Sequence, residues 1–175
     1  MSDSLGSLAP DTESMIRVDQ AGEYGATRIY AGQLAIMNGR SPAARSIARM
    51  AAQEERHRQT FDRMIAERGV RPTLLQPLWN IAGYGLGMAT ALIGPGAAMA
   101  CTVAIETEIE AHYDQQLREL GASDPELSDA VADFQAEEIE HKTTAAESPG
   151  TGDFPLMSAA IRLGCRLAIA VTKRI

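Results

Sequence analysis

Four stretches of this 175-residue chain have the apolar periodicity of packed α-helices, and each carries a glutamate at mid-length on its inward stripe. Steps of four and three pick out Ile16, Gln20, Glu23, Thr27, Tyr30, Leu34 and Met37 on the first stretch, and Ile47, Met50, Glu54, His57, Phe61 and Met64 on the second. The third gives Met99, Val103, Glu106, Glu110, Tyr113, Leu117 and Leu120; the fourth gives Leu127, Val131, Phe134, Glu138, His141 and Ala145. An unpaired buried carboxylate is strongly unfavourable, and four in one core also repel one another. The pattern therefore calls for positive charge at the centre of an all-α bundle.

Punctuation groups the four stretches into two pairs. "NGRSP" (38–42) and "GASDP" (121–125) are tight turns, with Ser41 and Asp124 as N-caps and Pro42 and Pro125 at the first helical position. The first turn lies midway between Glu23 and His57, and the second midway between Glu106 and His141, so each Glu and His face each other across an antiparallel pair. Glu23 and Glu54 are 31 residues apart, and Glu106 and Glu138 are 32 apart. This is the spacing of a duplicated helix pair, each copy supplying Glu and then Glu-x-x-His. The sequence reads as one domain over 1–175, with helices near 11–38, 42–68, 78–120 (broken near 94–96), 125–147 and 156–174.

At i, i+3 a carboxylate and an imidazole on one helix can reach the same ion. Four carboxylates and two imidazoles from four helices form the inward pattern of di-iron or di-manganese carboxylate bundles. Oxygen and nitrogen donors without thiolate suit iron or manganese rather than a structural zinc. The expected metal residues are Glu23, Glu54, His57, Glu106, Glu138 and His141. Glu55 falls on the opposite face from Glu54. Glu110 breaks the repeat and reads as a rim or outer-sphere acid, His112 lies off the stripe, and Tyr30 and Tyr113 read as core with satisfied hydroxyls.

A net charge of −7 argues against a nucleic-acid partner. Cys101 and Cys165 lie in apolar surroundings without metal-ligand spacing and are expected to be buried, reduced thiols. The opening "MSDSLGSLAPDTES" has neither an export nor an organelle-import pattern, which points to the cytoplasm. Between Arg71 and Glu106 the chain has no charged residue, but Gly94-Pro95-Gly96 interrupts the run and argues against a simple membrane span. The tail 156–175 is apolar with Arg162, Arg166, Lys173 and Arg174 interspersed. Both apolar segments can cover the bundle, pair two copies as a homo-oligomer, or lie on a membrane surface; the basic tail of an acidic protein favours the membrane.

The segments "IRVDQAGEYGATRIYAGQ", "QEERH", "RPTLLQPLWNIAGYGLG", "GAAMACTVAIETEIEAHY" and "EEIEH" resemble the demethoxyubiquinone hydroxylases, ferritin-like di-iron monooxygenases of ubiquinone biosynthesis. The resemblance covers almost the whole chain after the first dozen residues. It implies a ferritin-like four-helix bundle with an apolar inter-pair helix and a C-terminal interfacial helix, and two iron ions on the six residues above, with Glu54 and Glu106 bridging. It also implies roles for His112 and Tyr113 in coupling substrate and electrons to the metals. The expected reaction uses O2 and NADH-derived electrons to hydroxylate the ring of a demethoxyubiquinol. Its setting is the cytoplasmic face of the cell membrane, with an isoprenoid quinone substrate reached through an apolar channel and a lipid-binding accessory protein. Two other readings stand beside it: a ferroxidase or peroxide-consuming protein of the same fold, and a metal-free membrane-binding bundle.

Overall fold

Helix starts and stops follow local chemistry. In the computed structural model, which describes residues 11–37 and 39–175, the side chains of Asp11, Ser41 and Asp124 accept from the backbone N–H groups of Ser14, Ala44 and Leu127 at 3.0–3.1 Å. These caps open α1 (Thr12–Ile36), α2 (Pro42–Arg68) and α5 (Pro125–Ala146). The chain also forms α3 (Gln76–Ile93), α4 (Pro95–Leu120), a 3-10 turn (Thr151–Asp153) and α6 (Pro155–Thr172); no strand occurs among the described residues. The break between α3 and α4 sits at Gly94, whose φ of 148° excludes other residues, followed by Pro95, which cannot continue a helix. The leader reading of the first ten residues, and Asn38 of the first turn, lie outside the described residues.

The fold is an all-α, ferritin-like bundle. α1 packs on α2 and α4 packs on α5, and the two pairs face each other less closely than the helices within each pair, leaving room for side chains between them. Those chains are arranged in layers. Ile16, Phe61, Met64, Tyr113, Leu127, Val131 and Phe134 form an apolar cluster at one end, and Ile47, Met50, Ala98, Met99 and Ala145 form one at the other. The four glutamates and two histidines lie on the same helices between these layers, where both clusters exclude water.

The apolar inter-pair helix α3 lies along α1 at very short range. A Cβ placed on Gly87 would fall 2.0 Å from the Ile29 carbonyl oxygen, and one on Gly32 would fall 2.2 Å from that of Tyr84. Only glycine permits this approach. Gly87→Ala is expected to force the helices apart and lower stability by about 1–3 kcal/mol, read as a lower denaturant midpoint. An unchanged midpoint would show that α3 shifts without loss.

α6 packs against α4 and α1. Arg162 and Arg166 both reach Glu108, at 2.6 and 2.7 Å, and the pairing holds the Glu108 carboxyl below its usual range. This changes the reading of the tail: two of its four basic groups are ion-paired with α4, because Glu108 is carried on the face that α6 covers. Only Lys173 and Arg174 remain at the exposed end of the helix. Cys101 is buried as expected, whereas Cys165 is half-buried because it borders a cavity.

Candidate metal centre

All six side chains selected from the stripes are buried, none more than 2% exposed. They form two groups in which potential ligand atoms lie within 4.8 Å of one another: Glu23, Glu54, His57 and Glu138, and Glu54, Glu106, Glu138 and His141. Glu54 and Glu138 belong to both. The resemblance implies Glu54 and Glu106 as the bridging pair, whereas the two carboxylates common to both groups are Glu54 and Glu138. The reason is the duplication: Glu54 and Glu138 are equivalent positions on the second helix of each pair, whereas Glu23 and Glu106 stand at opposite ends of the site.

A second set of residues holds these side chains in place, and it repeats like the first. Tyr30, seven residues after Glu23, donates to Glu106 Oε1 at 2.7 Å, and Tyr113, seven after Glu106, donates to Glu23 Oε1. His57 Nε2 lies 3.1 Å from Glu137 Oε2, and His141 Nε2 lies 3.0 Å from Gln53 Oε1. Each imidazole thus turns Nε2 outward and Nδ1 toward the carboxylates: His57 Nδ1 is 3.1 Å from Glu138 Oε1, and His141 Nδ1 is 3.2 Å from Glu54 Oε1. Phe134 stacks on the His57 ring at 4.0 Å and fixes its plane. Arg56 points away from the centre but is not idle, since it pairs with Glu137.

The electrostatics of the centre favour positive charge among its carboxylates. Both Glu54 oxygens, Glu23 Oε2, Glu106 Oε2, Glu138 Oε1 and His57 Nδ1 are buried without a hydrogen-bond partner. Burial and the neighbouring carboxylates push Glu54 and Glu106 well above the usual carboxylate range. Burial opposes the charge on His57, but Glu138 and Glu23 more than reverse it and raise its pKa to about 10. Burial likewise opposes ionisation of Glu138, and His141 and His57 reverse that, lowering it to about 2. Protons on the carboxylates and imidazolium charge on His57 both answer the same need for positive charge. Hard oxygen donors with two imidazoles and no thiolate fit two divalent ions of the iron or manganese type.

The remaining sequence candidates take other places. Glu55 is on the outer face with Arg58 and Gln59, and Glu110 sits half-buried at the rim, paired with Lys142. His112 is partly buried off the stripe: its Nε2 lies 3.1 Å from Asp19 Oδ1, and Gln116 donates to the other Asp19 oxygen at 2.7 Å. Asp19, buried and off the α1 stripe, was missed because its partners His112 and Gln116 come from α4. Gln53 and Glu137 were also missed, although their shared position before each Glu-x-x-His was a readable signal.

An apolar cavity of about 570 Å³ lies between α1, α3, α4 and α6. Gly22 and Ile105, which line it, immediately precede Glu23 and Glu106, so the cavity wall and the centre share two helices. Its size is that of a small-molecule site.

A family profile described as ubiquinone biosynthesis protein COQ7 matches residues 10–172. The 3-demethoxyubiquinol 3-hydroxylase of Rhodospirillum rubrum is 47% identical over 168 residues, covering 93% of this chain and 78% of the relative. The NADPH-dependent 3-demethoxyubiquinone 3-hydroxylase, mitochondrial, of Mus musculus is 43% identical over 178 residues, covering 98% of this chain and 81% of the relative. The 5-demethoxyubiquinone hydroxylase, mitochondrial, of Saccharomyces cerevisiae is 39% identical over 181 residues, covering 93% of this chain and 78% of the relative. With its bundle, its duplicated carboxylate and histidine groups and this extent of identity, the chain belongs to the COQ7 family.

Proposed function

We propose that the chain is a di-iron monooxygenase that hydroxylates the ring of a demethoxyubiquinol in ubiquinone biosynthesis. The observation that carries this reading is a buried centre with two ligand groups sharing Glu54 and Glu138, set beside an apolar cavity. Glu23, Glu54, His57 and Glu138 would hold one iron, and Glu54, Glu106, Glu138 and His141 the other. When bound, the irons supply the redox chemistry with O2 that these side chains cannot perform. The chain's own part is geometric and electrostatic. Tyr30 and Tyr113 fix the terminal carboxylates, Gln53 and Glu137 fix the ring orientation of the imidazoles, and the apolar layers keep water out.

The cavity is the place for the apolar body of an isoprenoid quinone. Electrons come from a reduced nicotinamide nucleotide; NADH is implied by the sequence resemblance, and several relatives are named NADPH-dependent. His112, hydrogen-bonded to Asp19 and adjacent to Tyr113, is assigned a role in passing charge to the centre, and a lipid-binding accessory protein delivers substrate. A ferroxidase reading lacks any use for the cavity.

The reaction is tested with iron-loaded protein, reduced without oxygen and then given O2 and a demethoxyquinol in lipid. A product one oxygen heavier by mass spectrometry is expected. Iron oxidation with the quinol unchanged would replace this reading with the ferroxidase one.

The protein is placed peripherally on the membrane, in a bacterial setting on the cytoplasmic face. Ile81 of α3 is 74% exposed, and Leu156, Leu163 and Leu167 of α6 are 86%, 58% and 58% exposed. α6 is long and apolar enough to cross a bilayer, but its bonds to Glu108 are those of a helix lying on the bundle. Leu163→Glu with Leu167→Glu is expected to abolish sedimentation with anionic liposomes while leaving the helical spectrum intact. Equal sedimentation of the variant and the parent would remove α6 from the membrane contact.

A further inference from the structure

Among the hydrogen-bond partners of the two histidines, the duplication fails to repeat at one position. Each terminal glutamate, each tyrosine, each shared glutamate and each histidine has its counterpart in the other pair, but the residue before each Glu-x-x-His does not. On α5 it is Glu137, and on α2 it is Gln53. Each holds the histidine of the opposite helix, so His57 faces a carboxylate and His141 faces an amide.

The amide orientation is determined by its other partner. Gln53 Nε2 donates to Glu137 Oε2 at 3.0 Å, and a carboxylate only accepts, so the Gln53 oxygen is the atom turned to His141. That oxygen also only accepts, so His141 Nε2 carries a proton and leaves its Nδ1 lone pair for the centre. The same logic holds for His57 against Glu137. An imidazole that donates to a carboxylate is more basic at its other nitrogen than one that donates to a neutral amide, because its N–H proton is drawn further toward the negative charge. Arg56 also pairs with Glu137 but is 54% exposed, where solvent screens its charge.

Resting on the metal reading above, we infer that Glu137 and Gln53 make the two halves of the centre unequal. The half with Glu23 and His57 is the tighter and more electron-rich, and the half with Glu106 and His141 the weaker. Both are positioning residues that act through an imidazole. Two ions held this way load in order and are not interchangeable in their redox chemistry.

The test uses metal-free protein and Co(II) as probe, following the d–d absorption and the exchangeable, paramagnetically shifted imidazole N–H protons by NMR. Repulsion between two ions separates the binding steps even for equal sites, so the readout is which N–H signal appears first. With a preference of about tenfold, the lower end of the effect of such partners, the first equivalent is expected to bring up one signal and the second equivalent the other. The signal that moves in Glu137→Gln identifies His57, and in that variant both signals are expected to grow together. The charge-conserving exchange Gln53→Glu with Glu137→Gln is expected to reverse their order. A purely structural role would weaken binding in the variants without reversing anything. Two signals rising together in the parent protein, or an unchanged order in the exchanged variant, would overturn the inference and leave the metal centre standing. Binding of no Co(II) at all would overturn the metal reading with it.

Discussion

Glu54→Ala is expected to abolish iron-dependent hydroxylation and two-metal binding together, whereas Glu55→Ala leaves both near their parental values. The residues are neighbours in the chain but lie in different environments. Glu54 is fully buried, belongs to both ligand groups and has two oxygens without a hydrogen-bond partner. Glu55 is an outer carboxylate whose charge is satisfied by Arg58 and Gln59. Loss of an outer partner of a metal ligand typically lowers affinity or activity about 10–100-fold, so removing a shared ligand is expected to exceed that range. Removing an exposed pair such as Glu55–Arg58 changes stability by only about 0–1 kcal/mol. Metal content and product formation measured on both variants check this. Equal losses would mean that burial of Glu54 serves only packing.

Chelating the metal is expected to lower stability and to give the protein a pH dependence that the loaded form lacks. His57 has its pKa raised to about 10 by Glu138 and Glu23 against the opposing effect of burial. Because the folded value lies above the unfolded one, near 6.5, this stabilisation is full below pH 6.5 and is lost as pH rises toward 10. Glu54 and Glu106, raised by burial and by neighbouring acids, act in the same direction, since their protonated forms favour the fold and are lost on raising pH. Glu138 acts oppositely, with stabilisation present above about pH 4.5 and lost as pH falls toward its value of about 2. Between pH 6.5 and 10 the metal-free protein is therefore expected to lose several kcal/mol. In the metal-loaded form the cations replace these protons, and metal affinity rises with pH as the ligands deprotonate. Thermal melts of both forms across this range are the measurement. A metal-free melting temperature that rises from pH 6.5 to 10 would contradict the site electrostatics.

The six buried ligand candidates were legible because each helix is amphipathic with a fixed period, so an acid in core register declares its direction from the sequence. The matched separations from Glu23 to Glu54 and from Glu106 to Glu138 added level to direction. Asp19 escaped because its partners His112 and Gln116 lie on α4, and the stripe of α1 alone does not show where that helix passes. Gln53 and Glu137 escaped for a related reason: polar residues at the edge of a stripe look solvent-facing until the neighbouring helix arrives.

The sequence by itself determined the four helices, their pairing and the inward set of four glutamates and two histidines, since periodicity, caps and turn positions are local properties. It also carried the family resemblance. Only the tertiary structure decided that Glu54 and Glu138 are the shared carboxylates, that Tyr30 and Tyr113 cross between the pairs, and that Glu108 takes Arg162 and Arg166. Those contacts join helices through the offset and rotation of one against another, which the period of a single helix does not encode.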